Sequence, residues 1–368
     1  MPSNVIIGLG NTGTQIVKTA VRSAKLSDVK FYTIDSVTTS TDMDSVHNYK
    51  SIPIIVDDKS GSGRDRERGA AMFMYHDTNG SFNELYEDVK NAKSPIFIIT
   101  SSAGGTGSGV APILCKKLMD LSTEEKDITV VPIIVCPAIK DPAAFHMNTS
   151  DLMIELQDVG ITTYSIFRNV FGEADYRDIN EEIVRSIELI LGKWYTDSGA
   201  DTIDDSDLFN ILRVPGRFIS VVVESDDPHK LKRLITEKTL HSFQPAWNID
   251  DTKVATVYTA YGVTSPFAYE DFKDMFVDIR ERISSYVDEY RNICTRDGSC
   301  SASVIIAGLP HAELVDVDME YTETKGIADG AKRSKRPSFM SKNKPISPVT
   351  RKTGYEAIDN FNWRKKND

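Results

Sequence analysis

Apolar runs alternate with polar breaks along the first half of the chain in the manner of a parallel α/β sheet. Val5-Ile6-Ile7 and the stretches 30–34, 52–56, 95–100 and 130–135 are short and largely apolar, as strands buried on both faces are. Between them the apolar residues fall at helical spacing. Ile16, Val17, Ala20, Val21 and Ala24 share one face, and Phe82, Leu85, Tyr86 and Val89 share another, in a helix that begins near Ser81. Residues 110–119 predict an amphipathic helix with Pro112 in its first turn, where a missing N–H costs nothing. A helix over 151–159, capped by Ser150 or Thr149, and a strand over 161–167 follow. The stripe Ile179, Ile183, Ile187, Ile190, Leu191 and Trp194 then predicts a long central helix over 173–194.

The second half alternates again. Strands are expected over 217–223, 253–261 and 302–308, with a helix over 227–243. A long amphipathic helix is expected over 269–293, carried by Phe272, Phe276, Ile279, Ile283, Tyr286 and Tyr290. No pattern in this region is catalytic, and it reads as a subunit-contacting module. Beyond Pro310 the patterning fades. From Lys332 the chain is rich in Ser, Pro, Lys and Asn, a composition expected to be disordered. It closes on Tyr355, Ile358, Phe361 and Trp363 beside Arg364-Lys365-Lys366, an arrangement suited to a short recognition motif.

Charge sharpens this division. The net charge is −11, yet residues 325–368 carry 12 Lys/Arg against 4 Asp/Glu, so an acidic body ends in a basic tail that suits an acidic or polyanionic partner. The 368 residues can bury two cores. No apolar run approaches a membrane span, and Met1-Pro2-Ser3-Asn4 is expected to lead directly into a strand rather than a signal peptide. Cys115, Cys136, Cys294 and Cys300 have no metal spacing and are expected to be reduced thiols of a cytosolic protein.

The chemistry concentrates at Ser101-Ser102-Ala103-Gly104-Gly105-Thr106-Gly107-Ser108-Gly109, between a predicted strand and a predicted helix. Glycines let backbone N–H groups crowd around an anion, the helix dipole adds positive potential, and the hydroxyls offer further donors. This predicts a phosphate cradle, and the missing Gly-Lys-Ser/Thr distinguishes it from a Walker loop. A second loop, Gly8-Leu9-Gly10-Asn11-Thr12-Gly13, follows the first strand. Taken alone it is a dinucleotide fingerprint, with Asp35 placed about twenty residues on for a ribose, so a nicotinamide-dependent oxidoreductase is the rival reading. Two glycine loops on neighbouring strands favour a triphosphate held from both sides.

Ala103-Gly104-Gly105-Thr106-Gly107-Ser108-Gly109 differs by one residue, Ala for the first Gly, from the GGGTG[ST]G signature of the tubulin/FtsZ superfamily. The chain resembles that family from Asn4 to about Pro310, most of all its phage- and plasmid-borne TubZ branch. The resemblance implies a GTP/GDP site with Mg²⁺ held mainly by phosphate oxygens and water, without a dedicated protein metal cage. It assigns the α- and β-phosphates to the first loop, with Gly10, Asn11 and Thr12 at matching positions and Gln15 near the purine edge. Ala103 through Ser108 would hold the phosphates from the other side. Residues 138–148 would pass the ribose, and the loop around Arg64 would sense the γ-phosphate; on its own residues that loop is equally a solvated turn.

For the base the resemblance names Asn169, otherwise a turn former, together with Tyr176 to stack on guanine and Asn180 to read its edge. Asp201-Thr202-Ile203-Asp204-Asp205-Ser206-Asp207 matches the family's N-x-D-x-x-D loop with Thr202 for the Asn. Asp204 and Asp207 would then serve a neighbouring subunit's nucleotide, although four acids in seven residues also suit a solvated or cation-binding loop.

The fold expected is α/β: a Rossmann-like parallel-sheet GTPase domain over 1–172, a central helix over 173–198, a smaller α/β domain over 199–310, and an extension with a disordered basic tail over 311–368. The function expected is a GTPase that polymerises head to tail in a bacterial host cytoplasm, without membrane contact. It would segregate plasmid or phage DNA through a DNA-bound adaptor held by the tail. A non-hydrolysing filament or binding module is the second alternative.

Overall fold

The computed structural model describes residues 3–37, 46–56, 61–138, 140–169, 176–195, 202–243, 254–281, 283–296 and 300–309. Contacts group residues Met1–Val315 as one unit and Asp316–Asp368 as another. The tail, with its expected disorder and recognition motif, lies outside the described residues, as does the start of the predicted central helix.

Five strands open the chain: β1 (Val5–Leu9), β2 (Lys30–Asp35), β3 (Tyr49–Pro53), β4 (Ile96–Ser101) and β5 (Val130–Cys136). With β6 (Thr163–Arg168) and β7 (Gly216–Ser225) they form a parallel array in the order β3-β2-β1-β4-β5-β6-β7. The sheet continues through β10 (Cys300–Leu309), β8 (Val254–Ser265) and β9 (Ile283–Thr295) to a total of ten strands. Strand β10 runs antiparallel to both of its neighbours. Every residue of β1 and β5 is buried, as their unbroken apolar runs require. Strands β6 and β7 pair through only Thr163–Gly216 and Tyr164–Arg217, so the halves of the sheet meet at a narrow seam.

The helices are α1 (Gly10–Ala20), α2 (Arg66–Thr78), α3 (Asn83–Asn91), α4 (Thr106–Met119), α5 (Ala143–Asp158), α6 (Tyr176–Ile190), α7 (Asp205–Leu212), α8 (Pro228–Phe243), α9 (Ala268–Met275) and α10 (Val277–Arg280). The predicted stripe of α6 is buried: Ile179, Ile183, Ile187 and Ile190 join Ile16, Val17 and Ala20 of α1 in one core cluster. A second cluster lies over β7, β8 and β10, closed by Leu231 and Ile235 of α8 with Phe272, Phe276 and Ile279. Among the described residues no helix is long and apolar enough to cross a membrane.

Several predicted elements differ from those found. The central helix ends at Ile190 rather than Trp194. Gly192, at φ +70°, stops it; its N–H bonds to the Leu189 carbonyl and that of Lys193 to the Glu188 carbonyl, a Schellman closure. Helix α5 begins eight residues before the predicted start, after Pro142 rather than Ser150 or Thr149. The Thr149 hydroxyl donates instead to the Phe145 carbonyl within the helix, and most of the expected ribose loop is therefore helical. Strand β3 is displaced toward Tyr49 because its register with β2 pairs Phe31 with Tyr49 and Asp35 with Pro53.

Helix α2 was not predicted at all. Its apolar residues Ala70 to Phe73 run consecutively rather than at spacings of three and four, although Asp65 caps it through the Arg68 N–H. The largest correction concerns 269–293, where the helix stops at Arg280 and Ile283–Thr295 forms strand β9, parallel to β8. A spacing of four residues returns to the same face of a strand as well as of a helix, so Tyr286 and Tyr290 fit either period. The open edge of β8 supplies hydrogen-bond partners for a strand there.

Candidate functional site

Strand order reverses beside β1: β2 and β3 lie on one side, and β4 crosses to the other. In open α/β sheets such a reversal leaves a crevice at the carboxyl ends of the strands. Helices α1 and α4 both start there, directly after β1 and just after β4, and neither first turn has a side-chain cap or an acidic residue. Each leaves its first N–H groups without intrahelical partners, those of Gly10, Asn11 and Thr12 in one case and Thr106, Gly107 and Ser108 in the other. Two uncapped positive helix ends on one crevice suit an anion with several oxygens.

The glycines divide into two kinds. A Cβ on Gly107 would lie 2.8 Å from the Leu9 carbonyl oxygen and 2.5 Å from Thr100 Oγ1, so the two loops touch through backbone. A Cβ on Gly105 would lie 2.4 Å from Ser62 Oγ and 2.5 Å from the Asp65 nitrogen. These glycines permit packing. Gly104 is different, since a Cβ there would meet nothing within 4 Å. Its side is open where those of Gly105 and Gly107 are filled.

Surrounding side chains hold this loop. Asn148 donates to the Ala103 carbonyl at 3.1 Å, and Ser102 Oγ lies 2.7 Å from Thr149 Oγ1. Thr106 Oγ1 lies 2.6 Å from Ser36 Oγ and donates to Ser62 Oγ at 3.0 Å, while the Ser108 hydroxyl donates to the Gly104 carbonyl. The two hydroxyls expected to serve a ligand thus brace the loop, and the backbone N–H groups are what the crevice offers. Beside Ser36, burial pushes the Asp35 carboxyl up, opposed by the N–H groups of Ser36 and Val37. Ser36 escaped the sequence analysis, whereas Asn148 closes the stretch expected to pass the ribose and Ser62 lies in the loop around Arg64 expected to sense the γ-phosphate. The one local signal was Asp65 standing three residues before Arg68, an N-cap spacing.

Asn11 and Gln15 are exposed on one face of α1, and Asn180 is half-buried on α6. Helices α1 and α6 are tied at their lower ends, where Ser23 donates to Glu188 and Lys193 pairs with Asp28 at 2.9 Å. Gln15 stands five residues before the end of α1 and Asn180 ten before the end of α6. Asn169 sits at the carboxyl end of β6, its N–H on the Cys136 carbonyl at 3.0 Å. The side chain of Tyr176 lies outside the described residues.

Asp204 and Asp207 lie elsewhere. They form a capping box on α7: Asp204 Oδ1 accepts from the Asp207 N–H at 2.9 Å, and Asp207 Oδ2 from the Asp204 N–H at 3.1 Å. Asp205 pairs with Lys93 at 3.7 Å, and Arg213 with Asp127. Lys93 and Asp127 each stand three residues ahead of their strands, β4 and β5. The acids are therefore at the amino edge of the parallel array and the glycine loops at its carboxyl edge. The six residues of β4 separate those edges by about 20 Å. Among the described residues no group of three or more His, Cys, Asp or Glu is gathered as a metal site.

Residues 3–170 match the family described as Tubulin/FtsZ family, GTPase domain. This segment belongs to the tubulin/FtsZ family. The match sets the paired glycine loops within one GTPase-type domain and takes away the ground for a dinucleotide reading of the first loop. The tubulin-like protein CetZ2 of Haloferax volcanii is 28% identical over 228 residues, 58% of this chain and 61% of the relative, so the alignment spans less than two thirds of it. A solved structure of Haloferax volcanii CetZ2, a GTPγS-bound protofilament, superposes with TM-score 0.64 at 19% identity, covering 87% of this chain and 97% of that one. Clostridium botulinum phage c-st TubZ gives 0.62 at 14%, over 87% and 98%. At these identities the structures share the fold. TubZ thus stands among fold neighbours, while the curated sequence relative is a CetZ.

Two substitutions separate the glycines by role. Gly107→Ala drives a Cβ into backbone and should cost about 1–3 kcal/mol of stability, read as a lower urea midpoint. Gly104→Ala should leave the midpoint unchanged, and equal losses for the two would contradict the assignment.

Proposed function

We propose that this chain is a GTPase that assembles head to tail, each junction bringing the acid loop of one copy to the phosphate cradle of the next. The observation that carries the reading is the placement of Asp204 and Asp207 at one edge of the sheet and of the glycine loops at the other. Acids about 20 Å below the cradle are out of reach of a nucleotide bound in their own chain. Stacking along the strand direction carries them to the cradle of a second copy, and such heterologous contacts build open filaments. The CetZ2 neighbour, a GTPγS-bound protofilament, supports both the ligand and the assembly.

In this reading the first turn of α1 takes the α- and β-phosphates, and Ala103 to Ser108 close on the triphosphate from the other side. Mg²⁺, held mainly by phosphate oxygens and water, neutralises charge when bound. Asn169, Tyr176, Asn180 and Gln15 read the guanine. The capping box engages one oxygen of each acid, Asp204 Oδ1 and Asp207 Oδ2, and leaves the other oxygen of each outside the box. Those oxygens orient the attacking water at the neighbour's γ-phosphate. The chain divides into a nucleotide-binding part over 1–172, the helix over 173–198 as spacer, and a subunit-contacting part over 199–310.

The basic tail supports a finer reading, in which filaments move DNA through a DNA-bound adaptor, as the TubZ resemblance implies. The CetZ names of the curated relatives do not bear on that cargo, so it rests on the charge reversal at Lys325. Removing residues 325–368 should leave GTP binding intact and abolish capture by adaptor-loaded duplex DNA; unchanged capture would refute the docking role.

Asp204→Ala should bind GTP and assemble normally, yet release little phosphate and leave long-lived filaments. In the unaltered protein, phosphate release per chain should rise sharply above a critical concentration. A turnover independent of concentration would mean that one chain holds the complete site.

A further inference from the structure

Glycine-glycine peptides flip readily, because neither neighbour has a Cβ to resist the change in φ and ψ. The peptide between Gly104 and Gly105 is of this kind, and it lies where the cradle is open. In a planar trans peptide the C=O and the following N–H point in opposite directions. Whichever way the Gly104 carbonyl is turned, the Gly105 N–H is turned the other way. An oxygen facing the phosphates would repel them, whereas an N–H would bind them.

In this structure the carbonyl is held toward α4, because the Ser108 hydroxyl donates to it. Ser108 is in turn held by Arg66, the first residue of α2. Arg66 Nε donates to Ser108 Oγ at 3.2 Å and Nη2 to the Ser108 carbonyl at 3.1 Å. The other side of the guanidinium forks onto Glu155, Nη1 to Oε1 at 3.2 Å and Nη2 to Oε2 at 2.6 Å, with Asp151 at 3.8 Å. The Arg66 side chain is only 10% exposed. Backbone contact fixes where it starts: a Cβ on Gly109 would lie 2.1 Å from the Arg66 carbonyl oxygen. An ion pair joining α2 to α5 would need neither contact with Ser108.

We infer that Arg66 is a positioning residue for the phosphate cradle: clamped by Glu155, it orients Ser108 so that the Gly104–Gly105 peptide presents its N–H, not its carbonyl, to the ligand. This rests on the GTPase reading above and adds to it a group that touches no nucleotide. Arg is needed for geometry, since a lysine ammonium cannot span Ser108 and Glu155 as a planar fork does.

The test uses the full chain and a fluorescent GDP, followed by stopped-flow dissociation, with thermal unfolding of the nucleotide-free protein alongside. Ser108→Ala and Arg66→Gln should each speed GDP release about tenfold, the effect of one lost hydrogen bond. The double variant should be no faster than the faster single one, because both act through one bond. Arg66→Lys should behave as Arg66→Gln. A lowered unfolding temperature with GDP release unchanged would overturn the inference and leave Arg66 a structural brace. Additive effects of the two substitutions would also overturn it. Failure of the unaltered chain to bind GDP or GTP would overturn the GTPase reading first, and the inference with it.

Discussion

One close approach governs this molecule, that of the Gly107 backbone against the carbonyl oxygen of Leu9, where a side chain has no room. It exists because β4 crosses β2 and β3 to lie directly against β1 in parallel. Two helices then leave the same edge, from neighbouring strands, with uncapped amino ends. The loop between β4 and α4 becomes part packing surface and part open cradle. Its hydroxyls turn inward to hold it, through Thr106 to Ser36 and Ser62, and through Ser108 to Gly104. With those hydroxyls engaged inside the protein, backbone N–H groups are the donors left to suit an anion.

The same topology places the acids. A chain leaving the carboxyl end of β6 and passing through α6 must emerge at the amino edge of the sheet. The 15 residues of α6 cover about 22 Å, comparable with the length of the strands beside it. Ties at its far end, Ser23 to Glu188 and Lys193 to Asp28, fix where the chain leaves, and Lys93 and Asp127 hold α7 beyond it. Each subunit thus has a cradle at one end and carboxylates at the other. That separation is the ground for the proposal that a hydrolytic site is completed by a second copy.

Much of this could be read in the residues, for physical reasons. Strands buried on both faces cannot hide their apolar runs, so β1, β4 and β5 were evident, and the glycine loops follow two of them. The Ile stripe of α6 was equally plain, although Gly192 ends that helix before Trp194. The first two turns of α5 were missed because Pro142 starts it without a capping side chain. Helix α2 was missed because its apolar residues are consecutive, and with it went Arg66, whose role depends on contacts 42 and 89 residues away. Strand β9 was mistaken for helix because a four-residue spacing satisfies both periods, and only its pairing with β8 decides between them. Local chemistry was thus legible, and its support from distant elements was not.

The central claim is that a working site is made from two chains, and complementation tests it directly. Gly104→Val fills the open side of the cradle while keeping Asp204 and Asp207; Asp204→Ala keeps the cradle and removes an acid. Each variant alone should release almost no phosphate from GTP. Mixed, they should recover it, because cradles from one variant meet acids from the other at shared junctions. Two variants that stay silent together, although they coassemble, would contradict the account.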